Sequence, residues 1–215
     1  MAATTSTRRH RYLPALVLVV VLAVAGIATW TVVFVNSTSG SVTTCNPSPV
    51  PGAGTRLSTT ALDKQQAAAP GDVRVTVLNG AGQRGQAQLA AVELGELGIG
   101  EANPPDNDRL YPAKDLGCVG QIRFGEKGAA GARTLSLVAP CAELVRDGRN
   151  DSTVDLALGS DFRDIAPSQP VTETLRALSR QKAGSQGNGA QGNGSQGGGT
   201  DPAALDALRS VNCGT

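Results

Sequence analysis

The chain has 215 residues, of which only 3% are aromatic, with a single histidine (His10), 27 glycines and a formal net charge of +1. A near-neutral chain with so few stacking side chains is poorly suited to holding a nucleic acid or lining a deep aromatic pocket. Its length accommodates one domain with tails.

Residues 13–35 read LPALVLVVVLAVAGIATWTVVFV, without a charge. At about 1.5 Å rise per residue, such a run exceeds the roughly 30 Å hydrocarbon core of a bilayer. Arg8, Arg9, His10 and Arg11 precede it and no acidic residue does. The positive-inside rule therefore places residues 1–12 in the cytoplasm as a basic tail, and 13–35 as a transmembrane helix. Tyr12, Trp30 and Phe34 fall near its two ends, where amphipathic rings favour the interface. Ala23-Val24-Ala25 also matches a signal-peptide cleavage site. The apolar run continues for ten residues beyond it, however, so the expectation is an uncleaved anchor. Either way the rest of the chain lies outside the cytoplasm. Taking Arg8, Arg9 and Arg11 from the 19 basic residues leaves 16 against 18 acidic ones, so the outer part is about −2. That balance does not suit an acidic polymer held electrostatically.

Residues 36–71 are rich in Ser, Thr, Pro, Gly and Ala and read as a stalk. From residue 72 the pattern changes. Val73, Val75 and Val77 alternate with Arg74 and Thr76, predicting a strand over 73–79. Ala87, Ala90, Ala91, Leu94 and Leu97 share helical spacing, predicting a helix over 84–97 that Gly98 ends. Residues 99–103 read as a weak strand and 104–117, with three prolines, as a loop. Cys118, Gly120, Ile122 and Phe124 alternate and predict a third strand. Ala132, Leu135, Val138, Ala142 and Val145 predict a second helix, in which Pro140 makes a kink or begins a fresh turn. Val154, Leu156 and Leu158 give a fourth strand. The fold expected over 72–165 is a small α/β (α+β) domain of split βαβ type, βαββαβ, with two helices on one face of the sheet.

Residues 166–182 read as a C-terminal helix carrying Val171, Leu175 and Leu178 on one side. Residues 183–200 are a Gly-rich linker that buries too little apolar surface to order itself. Residues 201–215 read as a short terminal helix opened by Asp201 and Pro202, with a cysteine-containing tail.

All four cysteines, Cys45, Cys118, Cys141 and Cys213, follow the membrane segment, so two disulfides are expected. A helix that returns antiparallel to the third strand brings Cys141 back towards Cys118. The expected pairs are therefore Cys118–Cys141 and Cys45–Cys213. No C-x-x-C spacing occurs and no histidine follows the anchor, so no metal site is expected.

Gly80-Ala81-Gly82-Gln83-Arg84-Gly85 matches G-x-G-x-x-G between a strand and a helix, with Glu101 near the offset of a ribose-binding acid. The extracytoplasmic location and the small size of the domain oppose a dinucleotide. A tight turn is the plainer reading, and a turn whose N–H groups hold an anion is a middle one. Asn79, Gly80, Gly82 and Arg84 are accordingly the candidate ligand-binding residues. Ser179-Arg180-Gln181-Lys182 matches the S-x-x-K of penicillin-binding proteins, but its companion motifs are missing. Asp106-Asn107-Asp108 lacks the rest of a calcium loop and reads as a polar turn. No histidine is available outside for a Ser-His-Asp or Cys-His set. No catalytic residue, metal or cofactor is expected.

The run VRVTVLNGAGQRGQAQLAAVELGELG over 73–98 resembles the opening of the LytR C-terminal domain family: a hydrophobic strand, an Asn-Gly turn and a Gly-rich helix entry. IRFGEKGAAGARTLSLVAPC and STVDLALGSDF resemble its second half, so the likeness covers roughly 72–165. The layout of basic tail, anchor, one such domain and outer cysteines is similar to that of single-pass envelope proteins of mycobacteria and related actinobacteria. The resemblance implies a non-catalytic module that maintains the cell envelope. The larger catalytic domain that often accompanies this module is missing here.

The expected function is thus a membrane-anchored extracytoplasmic module supporting envelope integrity. It would bind a cell-wall or lipid-like ligand, or a partner envelope-assembly protein, and no nucleic acid. An envelope-processing enzyme using carboxylates or the Ser179/Lys182 pair is the first alternative, and a structural spacer or assembly subunit the second.

Overall fold

The computed structural model describes residues 16–19, 22 and 44–187. Backbone proximity divides the chain into two units, 1–39 and 40–215. In the first, residues 16–19 and 22 are helical with exposed Leu and Val side chains. The anchor predicted over 13–35 falls mostly outside the described residues, among which no helix is long and apolar enough to cross a membrane. The basic tail 1–12, most of the Gly-rich linker and the terminal segment 201–215 also lie outside them.

The second unit is built on one mixed sheet of seven strands. These are β1 (Thr55–Arg56), β2 (Arg74–Asn79), β3 (Gly100–Glu101), β4 (Asp106–Asn107), β5 (Gly120–Phe124), β6 (Glu143–Arg146) and β7 (Val154–Leu158). The strand order is β1-β6-β5-β7-β2-β3, with β4 also pairing β2. Helix α1 (Gln86–Glu96) connects the parallel strands β2 and β3, and α2 (Ala129–Val138) connects the parallel strands β5 and β6. β7 runs parallel to β2 and antiparallel to β5, and so joins the two halves.

Alternation along the strands separates two faces. Val75 and Val77, Ile122 and Phe124, and Val154, Leu156 and Leu158 pack with Ala90 and Leu94 of α1 and Ala132, Leu135 and Val138 of α2 in one aliphatic core. Burying each large side chain contributes about 1.5–3 kcal/mol. Both helices therefore cover one face, as the apolar spacing predicts. The opposite face carries Thr76, Gln121, Arg123 and Asp155, the intervening residues of the same strands. α1 ends at Gly98, which takes φ 82°, while the Ile99 N–H donates to the Leu94 carbonyl at 3.1 Å.

Three expectations are corrected. First, residues 142–145 are not helical. The helix stops at Val138, ahead of Pro140, which has no N–H to continue it. The apolar residues beyond become β6, which extends the sheet from β5 with Gln121 opposite Glu143.

Second, residues 45–71 are not a free stalk. β1 pairs antiparallel with β6, Leu62 and Ala67 enter the main core, and the Thr134 hydroxyl donates to the Ala68 carbonyl at 2.7 Å. A few apolar residues and backbone hydrogen bonds suffice to lay this polar-looking stretch over the domain.

Third, Cys118 pairs with Cys45, not with Cys141 (Cα–Cα 4.9 Å). The cause is local docking of the segment after Cys45. The Asn46 carboxamide oxygen accepts from the Gly117 N–H at 2.7 Å, the Asn46 carbonyl accepts from the Tyr111 hydroxyl at 2.7 Å, and the Ser48 hydroxyl donates to the Leu110 carbonyl at 2.8 Å. The expected Cys45–Cys213 pair is excluded by the bond that Cys45 already makes, and Cys141 is itself disulfide-bonded. Cys213 itself lies outside the described residues.

Helix α3 (Gln169–Gly187) begins close to the predicted position and runs five residues past the predicted end. It buries Val171, Leu175 and Leu178 as expected and packs against α2 and the 3-10 turn Pro70–Asp72.

Candidate functional site

A recess of about 670 Å³ opens on the sheet face away from the helices. Strand register builds its floor. Arg123 of β5 lies opposite Asp155 of β7, which lies opposite Thr76 of β2, so the three form one row across three strands. One wall is the loop from Asn103 to Leu110, and the second is Gly52 and Ala53 of the segment fastened by Cys45. Asp147 and Arg149, between β6 and β7, close the third side.

The charges in this cleft are held in pairs. Arg123, with only 2% of its side chain exposed, grips both carboxylate oxygens of Asp108 at 2.9 and 2.6 Å. It also donates to the Gln121 carboxamide oxygen at 3.0 and 2.8 Å, and its guanidinium lies 5.7 Å from the centroid of the Tyr111 ring. Gln121 in turn donates to Glu143 at 2.9 Å, and Glu143 pairs with Arg56 at 3.3 Å. This network is continuous from β1 to the 103–110 loop, which is what a low-dielectric site requires of buried charge. Arg149 sits between Asp147 and Asp155. Burial works against its charge, but hydrogen bonds to Asp155 and Asp147 outweigh burial and raise its pKa. The Asn103 amide donates to the Thr76 hydroxyl at 3.1 Å and fixes the rim to the floor.

Tyr111 is buried, and burial raises its phenol pKa despite the opposing pull of Arg123. A raised pKa favours the neutral phenol in the folded state. The unfolded chain therefore loses its proton first as the pH rises. This contribution is full below about pH 10 and is lost as the pH climbs through the folded-state value. Thermal melts between neutral pH and strong alkali are expected to show a steeper alkaline loss of stability in the wild type than in Tyr111→Phe.

The predicted ligand-binding residues stand at the end of β2 and entry of α1. The Asn79 carboxamide oxygen accepts from the N–H groups of Ala81 and Gly82 at 3.2 and 2.8 Å, and its amide donates to the Gln83 carbonyl at 2.7 Å. The Gly80 N–H donates to the Leu158 carbonyl at 2.9 Å. A Cβ at Gly80 would meet the Leu116 side chain at 2.8 Å, so close packing requires glycine there. Three backbone donors that the sequence offers to an anion are thus used within the fold. The structure does bring Asn79, Gly82 and Arg84 together with Lys114 around a smaller recess of about 280 Å³. Gly80 is not on its wall.

Ser179 and Lys182 have separate partners. The Ser179 hydroxyl donates to the Leu175 carbonyl at 3.0 Å, and Lys182 pairs with Asp72. Asp106 and Asn107, read as a polar turn, form the short strand β4 against β2, and Asp108 beside them is the buried partner of Arg123. Thr76, Arg123 and Asp155 each carry a sequence signal as the polar member of an alternating strand. Their convergence required the register between strands far apart in the chain.

Residues 72–162 match the family described as LytR cell envelope-related transcriptional attenuator. The cell envelope integrity protein Cei of Mycobacterium tuberculosis is 38% identical over 178 residues, spanning 80% of this chain and 82% of that protein. A crystal structure of the soluble domain of a conserved hypothetical secreted protein from Mycobacterium marinum is similar with a TM-score of 0.62 and 35% identity. The likeness covers 75% of this chain and 99% of that one.

Proposed function

The chain belongs to the family of the cell envelope integrity protein Cei, and from that premise we propose that it is a non-catalytic extracytoplasmic module that supports the envelope by binding a ligand or partner in its sheet-face cleft. Residues 13–35 serve as its single anchor, with the N-terminus cytoplasmic. The family and relatives carry the envelope association. A disulfide between Cys45 and Cys118 suits an oxidising compartment.

One observation carries the binding reading: a roomy cleft whose deeper charges, Arg123, Asp108, Arg149, Asp147 and Asp155, are held in ion pairs. Arg123 with Asp108, and Arg149 with Asp147 and Asp155, make a rigid polar surface. Such pairs present a fixed pattern of donors and acceptors. The separate engagements of Ser179 and Lys182 weigh against the enzymatic alternative. The cleft weighs against a plain spacer, since a spacer has no use for a recess.

The test is Thr76→Arg, which puts a long side chain into the cleft from its floor. In a complemented deletion strain this variant is expected to leave the envelope as permeable as the deletion does, at normal protein level.

A further inference from the structure

We propose that the cleft takes a neutral, hydroxyl-rich ligand, a segment of uncharged glycan, in preference to a lipid chain or a phosphate-bearing polymer. This rests on the cleft being the binding surface.

Charge supplies the first argument. Three arginines and four aspartates line the recess, including the mutually neutralising groups already described. Their sum is about −1, and Arg123 and Arg149 are committed to carboxylates. The remaining arginine, Arg109, is exposed on the 103–110 wall and outweighed by the lining carboxylates, so no net cationic excess is left to hold phosphates or uronates. An acyl chain laid over these groups would strip water from ionised side chains and return no hydrogen bond, which is costly.

Hydrogen-bonding capacity supplies the second. Beside the engaged Arg123, the floor row offers the Asp155 carboxylate as an acceptor and the Thr76 hydroxyl as both donor and acceptor. Asp155 uses Oδ2 for Arg149, and a carboxylate has acceptor capacity for more than one donor. Thr76 accepts from Asn103 and retains its own hydroxyl proton as a donor. Sugar hydroxyls, each at once donor and acceptor, match such a row without adding charge.

Shape supplies the third. Pro104, Pro105, Leu78 and Leu110 give the cleft an apolar border beside the polar row. A sugar ring has the same division, with C–H faces and hydroxyl edges. The volume lies within the roughly 300–1,000 Å³ range of small-ligand sites.

The experiment is calorimetric titration of the full chain, held in neutral-lipid nanodiscs. The probes are a neutral galacto-oligosaccharide, a chito-oligosaccharide and a poly(glycerol phosphate) oligomer. At least one neutral oligosaccharide is expected to bind more tightly than the phosphate polymer. Asp155→Asn and Asn103→Ala are each expected to weaken that binding about tenfold or more, the scale of one or two lost hydrogen bonds. Asn103 is exposed, so its variant keeps the test valid if Asp155→Asn destabilises the chain. Tighter binding of the phosphate polymer overturns the proposal, as does absence of binding by both neutral probes. If the neutral probes fail while Thr76→Arg still abolishes envelope function, the ligand class is wrong and the binding surface stands. If Thr76→Arg leaves the envelope intact, the binding surface itself is wrong.

Discussion

Asp108→Ala is expected to destabilise the folded chain by about 3–5 kcal/mol, the cost of leaving one member of a buried ion pair unpaired. The side chains of Arg123 and Asp108 are 2% and 1% exposed, and both carboxylate oxygens are used. Without Asp108 the almost fully buried guanidinium keeps the neutral Gln121 carboxamide and the Tyr111 ring, neither of which balances its charge. A fall in melting temperature of roughly 10 °C corresponds to such a loss in a domain of this size. Asp147→Ala is the natural comparison. Asp147 and Arg149 are partly exposed (16% and 19%), and Arg149 retains Asp155, so a much smaller shift is expected. Differential scanning calorimetry of the two variants measures the difference. Equal shifts would mean that the buried network does not hold the 103–110 loop to the sheet.

The second large effect belongs to Cys45 and Cys118. Replacing both with serine opens a loop closed across 73 residues of sequence. The chain-entropy account assigns such a loop about 4 kcal/mol. Both cysteines are buried, so substitution is a cleaner probe than reductant. The segment from Cys45 to Arg56 would then be held by Asn46, Ser48, the Arg56–Glu143 pair and the short strand β1. Urea denaturation is expected to shift to markedly lower concentration, and limited proteolysis to cut first within this segment. Because Gly52 and Ala53 form a cleft wall, ligand affinity should fall with it. An unchanged midpoint would show that the disulfide adds nothing to docking already complete.

Local pattern served the middle of the domain well. β2, α1 and β7 follow from alternation and helical spacing because each is long, amphipathic and bounded by glycine or polar turns. It served the edges poorly. β1 has two residues and no periodicity of its own, and its pairing with β6 decides that it is a strand. Ala142, Leu144 and Val145 suit a helix as well as a strand, and Pro140 together with the open edge of β5 settled the matter. The disulfide expectation failed for a related reason. The spacing of elements within 118–141 favours a local pair, whereas Cys45 arrives by hydrogen bonds to Asn46 in a stretch with no pattern at all.

The candidate site divides in the same way. The Gly80–Gly85 motif is conspicuous, but the Asn79 side chain spends the donors that make it so. Arg123 and Asp155 are single charged residues within apolar strands, unremarkable until β5, β7 and β2 are placed side by side. Asp108, in a run that looks like surface, is the residue that neutralises the buried arginine.

The two recesses can be set against each other in one measurement: envelope permeability of a deletion strain complemented with Thr76→Arg or with Arg84→Glu, at matched protein levels. Thr76→Arg is expected to leave the envelope as leaky as the deletion, and Arg84→Glu to restore it. Restoration by Thr76→Arg together with failure of Arg84→Glu would contradict the assignment and move the functional surface from the sheet face to the glycine-rich turn.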